Sequence, residues 1–217
     1  MKNAIEIQDN PDLAFFGRIN ASISHELKNI FAIISEAAGL LNDLVELSEK
    51  GKKIDTGMFK TCSRDIEEEI QRGFATVKEM NAFSHSVDRS LASVSLVNLV
   101  NLMINIAGYL SYACKVRITA PDPADLEILT CPFRLQHIIY QALVFAFKRT
   151  GPEGEFRISI LTENDSDVRI AFSDLGNLSD ENFPFDHMAA VVESIHARIR
   201  VTEGFRSFDI VVPKSIA

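Results

Sequence analysis

Apolar residues recur every three or four positions through the first third of the chain, at Phe16, Ile19, Ile23, Leu27, Ile30, Ile34, Ala37, Leu41 and Leu44. That spacing marks one face of a long amphipathic helix. Pro11-Asp12 supplies a start, with Asp12 as the expected N-cap, and Gly51-Lys52-Lys53 a stop, so the helix is predicted from Asp12 to about Lys50. A second stripe runs through Phe59, Cys62, Ile66, Ile70, Val77 and Met80, with Arg64, Glu67, Glu68, Gln71, Lys78 and Glu79 on the other side. Two long antiparallel helices follow from this pattern. Each helix of a lone hairpin covers one side of its neighbour only, and the heptad-like spacing predicts a homodimer closed as a four-helix bundle. Packing of the stripes on the C-terminal half of the same chain is the alternative.

Beyond about Asp88 the texture changes to short elements. Ser95 to Tyr112 reads as a helix, Lys115 to Thr119 and Leu126 to Leu129 as strands, and Phe133 to Arg149 as a helix. Glu155 to Thr162 and Asp167 to Ser173 alternate as two strands joined by the turn former Asn164-Asp165-Ser166. Phe185 to Ala197 reads as helical, and Ile199 to Val201 and Phe208 to Val212 as closing strands. The expected fold class is α+β: a flexible N-terminus (1–11), a helical hairpin (12–90) and a small α/β sandwich (91–217). The boundary between the last two falls near Asp88 to Ser93.

Length and composition narrow the function classes. With 217 residues, 47% of them hydrophobic, the chain can bury a real core, and its formal charge of -8 without a Lys/Arg block argues against nucleic acid or anionic membrane as partner. Leu91 to Cys114 carries no charge and is long enough to suggest a membrane span, but Asn98, Asn101 and Asn105 recur on one side, as in a half-buried helix of a soluble protein. The three cysteines, Cys62, Cys114 and Cys131, are odd in number and far apart, which fits a reducing compartment. Met1 to Pro11 has no apolar run of the secretory type, so a cytoplasmic location is expected.

Candidate chemistry centres on Ser24-His25-Glu26-Leu27-Lys28-Asn29. His25 lies two residues from both Ile23 and Leu27, so it points away from the apolar stripe, and Asn29 follows one turn later on the same face. An exposed imidazole is nucleophilic near pH 7, its ordinary pKa being about 6.5. An exposed His-Glu pair on any helix is more often plain solvated surface. The other histidines, His85, His137, His187 and His196, show no metal-ligand spacing and read as structural or solvated, so no metal site is expected.

These residues, together with Gly73 to Val87, Pro132-Phe133-Arg134-Leu135 and the strand order through Pro213, resemble the core of a sensor histidine kinase. That family joins a dimerisation and histidine-phosphotransfer hairpin to a GHKL-type ATP-binding domain. The hexapeptide at His25 looks like its H-box. The resemblance implies His25 as phosphoacceptor, Glu26 as proton acceptor or ring orienter, and Asn29 as the residue that positions water at an acyl phosphate. Lys28 and Arg18 would neutralise phosphoryl charge.

The second half departs from the family where ATP chemistry would occur. Phe145 stands at the magnesium-holding asparagine, with Gln141 at the preceding asparagine position, and a phenyl ring offers magnesium no oxygen. Asp174-Leu175-Gly176-Asn177-Leu178 keeps an aspartate and one glycine but has Leu178 at the second glycine, and the lid looks deleted. Asp174 and Gly176 would be vestigial cofactor contacts, and Phe145, Phe147, Phe172 and Phe183 would fill the nucleotide's space. The resemblance thus implies a degenerate GHKL-like domain with no cofactor of its own. The expected function is a homodimeric histidine phosphotransferase of a bacterial phosphorelay, shuttling phosphoryl groups between His25 and response-regulator aspartates, with Mg2+ supplied by the receiver and an upstream histidine kinase as a further partner. An active kinase core and a non-enzymatic protein that docks or dephosphorylates a response regulator are the alternatives.

Overall fold

A computed structural model describes residues 10–109, 114–120, 126–175, 188–201 and 206–217. Cα packing divides the chain into a helical unit, Phe16–Ala82, and a sheet unit made of the residues up to Phe15 and Phe83–Ala217. The fold class is α+β.

Two helices build the helical unit, α1 (Pro11–Glu49) and α2 (Thr56–Ser84). The N-cap of α1 is Asn10, not Asp12: its side-chain oxygen accepts from the N–H groups of Asp12 (3.0 Å) and Leu13 (3.3 Å), and Pro11 takes the first helical position, where a missing N–H costs nothing. At its other end Gly51 adopts φ +75° and its N–H reaches Ser48 O at 2.9 Å, a left-handed exit that a side chain would resist. Asp55 then receives the Gly57 N–H at 2.9 Å and starts α2.

The buried positions of the hairpin form a narrower set than the apolar stripe. Ile19, Ile23, Ile30, Leu44, Cys62 and Thr76 are buried, whereas Leu27, Ile34 and Leu41 are half-buried and Phe31, Val45, Ile70, Phe74 and Val77 are exposed. Two helices cannot cover a stripe wider than their mutual contact. Gly73 sits where a Cβ would meet Ile30 Cγ2 at 3.6 Å, so it marks ordinary packing distance between the helices.

In the sheet unit, a 3-10 turn (His85–Val87) leads to β1 (Ala92–Ser95), a short strand that the alternation did not announce, and α3 (Leu96–Gly108). Ser95 caps α3 by accepting from Asn98 N–H at 3.4 Å. After β2 (Lys115–Thr119) and β3 (Glu127–Thr130) comes α4 (Pro132–Thr150), followed by β4 (Glu155–Thr162), β5 (Asp167–Ser173), α5 (Ala189–Ser194), β6 (Arg198–Val201) and β7 (Phe208–Pro213). The helix expected over Phe185 to Ala197 is shorter: Ile195 to Ala197 leave it, with His196 at φ +52°, and Phe185 to His187 lie outside the described residues.

β1 and β3 pair antiparallel as a small separate sheet. The main sheet runs β2-β4-β5-β7-β6, parallel between β2 and β4 and antiparallel elsewhere. Its β4–β5 turn is held by Asn164, whose side-chain oxygen accepts from Ser166 and Asp167 N–H, both at 2.8 Å. Period-two alternation sends Phe156, Ile158, Ile160, Val168, Ile170, Phe172, Phe208, Ile210 and Val212 to one buried face. The α3 and α4 residues Leu99, Met103, Ile106, Leu135, Ile138, Ile139 and Leu143 are buried in the same unit. Charges lace the other face: Arg169 lies 3.1 Å from Glu163 and 3.3 Å from Asp209, Arg200 2.6 Å from Glu163, and Arg198 2.8 Å from Asp167.

Candidate functional site

His25 projects from the middle of α1 into solvent. Its Nδ1 lies 3.3 Å from the Asn29 side-chain nitrogen, a contact that the one-turn spacing makes possible. Lys28 and Arg18 are exposed on the same helix. The ring therefore has one nitrogen held within its own helix.

Glu26, the next residue, turns the other way. It is buried to 5% exposure, and its Oε1 accepts a hydrogen bond from the Arg72 guanidinium across the hairpin. Arg72 also donates to both carboxylate oxygens of Glu69 at 3.1 Å. Burial works against the Arg72 cation, but hydrogen bonding to Glu26 and the charges of Glu26 and Glu69 outweigh it, so its pKa is raised. Arg72 was not singled out in the sequence. The sequence carries no local signal for it, because a pairing 46 residues apart is not visible before the helices are brought side by side.

In the sheet unit, Phe145, Phe147 and Phe172, three of the rings expected to fill a nucleotide's space, join Phe156 and Phe208 in a continuous run of rings. Phe145 meets Phe208 edge-on at 6.0 Å, Phe208 stacks on Phe172 at 4.6 Å, Phe172 on Phe156 at 6.4 Å, and Phe156 meets Phe147 edge-on at 5.5 Å. The Arg149 guanidinium lies 5.3 Å from the Phe145 ring centroid. Gln141 is buried, 3.5 Å from His137 Nε2. Asp174 leaves β5 at φ +64°, exposed, with Arg157 at 3.8 Å. Gly176, Leu178 and Phe183 lie outside the described residues.

His137 serves packing. It is 1% exposed, stacks on Phe15 at 4.2 Å with the planes 4° apart, and has Asp12 Oδ1 3.4 Å from its Nδ1. Phe83, Phe133 and Tyr140 complete an aromatic cluster around Phe15. His85 is exposed beside Asp88 at 2.8 Å. Among the described residues no group of three His, Cys, Asp or Glu could hold a metal ion, and no helix is long and apolar enough to cross a membrane.

No protein-family model matches the chain, and no curated protein matches it. Solved structures with a similar layout include the catalytic domain of histidine kinase ThkA, at 14% identity and a TM-score of 0.48 over 58% of this chain and 97% of that one. The Acinetobacter baumannii histidine kinase AdeS aligns at 14% identity and 0.45, covering 88% of this chain and 98% of its own. Histidine kinase ThkA in complex with the response regulator TrrA aligns at 17% identity and 0.44, covering 93% and 63%. At these identities and scores the matches assign no residue a role.

Proposed function

We propose that this chain is a homodimeric histidine phosphotransferase of a bacterial two-component phosphorelay, acting in the cytoplasm with response-regulator receiver domains and an upstream histidine kinase as partners. The observation that carries the reading is His25 itself: an imidazole open to solvent on a long helix, held at one nitrogen by Asn29 on the same face. The ring can attack a visiting aspartyl phosphate in line through whichever nitrogen carries its lone pair.

Asn29 also stands where its amide can orient water toward an acyl phosphate, and Lys28 is free to approach phosphoryl oxygens. The receiver brings the magnesium. The run of phenyl rings from Phe145 to Phe147 supports a domain whose former nucleotide space is hydrocarbon, leaving Asp174 and Gly176 as vestiges and ATP without a cradle.

Homodimerisation is supported by the hairpin's uncovered flank. Leu27, Phe31, Ile34, Ala38, Leu41 and Val45 repeat at alternating spacings of four and three, the seam of a four-helix bundle, and Phe31 is 65% exposed in the single chain. A second copy would cover it.

The test is transfer of label. A receiver domain carrying 32P-aspartyl phosphate is mixed with the wild-type chain and with His25→Gln. Acid-labile label on wild type and none on the variant is the expected result; label that never reaches His25 removes the reading.

A further inference from the structure

His85 stands in solvent as His25 does, with 79% of its side chain exposed, but its ring meets a carboxylate: Nδ1 lies 2.8 Å from Asp88 Oδ2. The 3-10 turn after α2 brings the two together, because side chains three residues apart eclipse in that geometry, and the Asp88 N–H closes the turn on His85 O at 3.3 Å. Beneath them the backbone is pinned. Phe83 is fully buried, and Ser86, 7% exposed, donates its hydroxyl to Phe83 O at 2.6 Å. The pair is therefore open to solvent while the turn that carries it is anchored in the sheet unit.

A carboxylate only accepts, so Asp88 fixes a proton on Nδ1 of the neutral ring and leaves the lone pair on Nε2. When that lone pair attacks an electrophile the ring becomes cationic, and a carboxylate hydrogen-bonded to its other nitrogen stabilises the charge, as the aspartate of a hydrolase triad does for its histidine. Arg89, exposed and next in sequence, adds a cation suited to an anionic electrophile. We propose that His85 is a phosphoacceptor site separate from His25, taking a phosphoryl group from a small activated donor such as an acyl phosphate or a phosphoramidate, with Asp88 as its positioning residue. In the step the Nε2 lone pair forms the N–P bond as the bond from phosphorus to the leaving group breaks. That bond's electrons depart on the leaving group, as a carboxylate or as ammonia. The ring proton stays on Nδ1 against Asp88 and passes to water when the ring returns to neutrality.

The experiment treats the full-length chain carrying His25→Gln with potassium phosphoramidate and follows initial labelling at His85 by mass spectrometry of its peptides. His196, also exposed, is read in the same molecule as the reference, so donor concentration cancels. His85 is expected to be labelled faster than His196 by roughly two- to ten-fold, the range of one net hydrogen bond, and Asp88→Ala should abolish that lead. Two-bond 15N–1H spectroscopy of the 15N-histidine-labelled chain supplies a readout that a purely structural role would not move: neutral His85 should be the Nδ1–H form in the wild type and shift toward Nε2–H in Asp88→Ala. The proposal is overturned if His85 is labelled no faster than His196, or if folded Asp88→Ala keeps either the lead or the tautomer. Both members of the pair are exposed, so the substitution leaves the buried Phe83 and Ser86 in place. Since His25 is absent from the labelling reaction and no receiver takes part, the outcome is independent of whether a receiver's label reaches His25.

Discussion

Replacing Phe145 by asparagine places, at one position, the type of side chain that a magnesium-nucleotide site would use, and the ring run around it predicts that the exchange costs stability without gaining ATP. Phe145 is 7% exposed, meets Phe208 edge-on and lies beneath Arg149. Removing a buried phenyl costs about 3–5 kcal/mol when alanine replaces it. Asparagine refills part of the volume but sets an amide among hydrocarbon, where an unsatisfied polar group costs about 1–3 kcal/mol. A net loss of about 4 kcal/mol follows. In a unit of about 150 residues that corresponds to a fall in Tm of roughly 8–16 °C. Differential scanning calorimetry of the intact chain reads this directly, with and without Mg-ATP at a concentration 100 times an assumed micromolar Kd. A nucleotide bound so tightly would add about 2.7 kcal/mol and raise Tm by roughly 5–11 °C. Neither protein is expected to respond. A rise of that size in the wild type refutes the reasoning, as does a Phe145→Asn variant that keeps its Tm and gains a nucleotide response.

Three further outcomes are expected. Glutamate at both Phe31 and Phe74, which are 65% and 68% exposed, should convert a dimer to a monomer in light scattering with helical circular dichroism retained; an unchanged mass would locate the contact elsewhere. Gly154→Ala places a Cβ 2.4 Å from Thr150 Cγ2 and 2.6 Å from its backbone oxygen, so the α4–β4 connection must shift, at about 1–3 kcal/mol in a denaturant titration. Hydrogen bonding from Asn164, assisted by the Arg198 charge, holds the Asp167 carboxyl below its ordinary value. A depressed acid contributes stability above its unfolded pKa and loses it as pH falls through the folded one, so melting curves of wild type and Asp167→Asn should differ at neutral pH and converge in acid. Curves that stay parallel would show that Asp167 stabilises by something other than its charge.

The candidate site was legible in part because helical periodicity is local. The three-four spacing around Ile23 and Leu27 places His25 outward, and the one-turn offset places Asn29 beside it, without knowledge of any other segment. The same reasoning could not reach Arg72, whose partner is on another helix, nor Asn10, whose capping role depended on which of two neighbouring polar residues faced the first free N–H groups. The short β1 escaped because it draws its pairing from β3, far along the chain.

What the chain determines by itself, then, is what backbone periodicity and turn chemistry dictate within a few residues: two long helices, the alternating β4 and β5 with their Asn164 turn, and the outward His25. Only the tertiary structure decided where Glu26 spends its charge, which flank of the hairpin stays uncovered, and that Phe145, Phe208, Phe172, Phe156 and Phe147 meet as one run of rings. Burial and ion pairing depend on segments distant in sequence arriving at the same place, and a local pattern carries no information about which of them will.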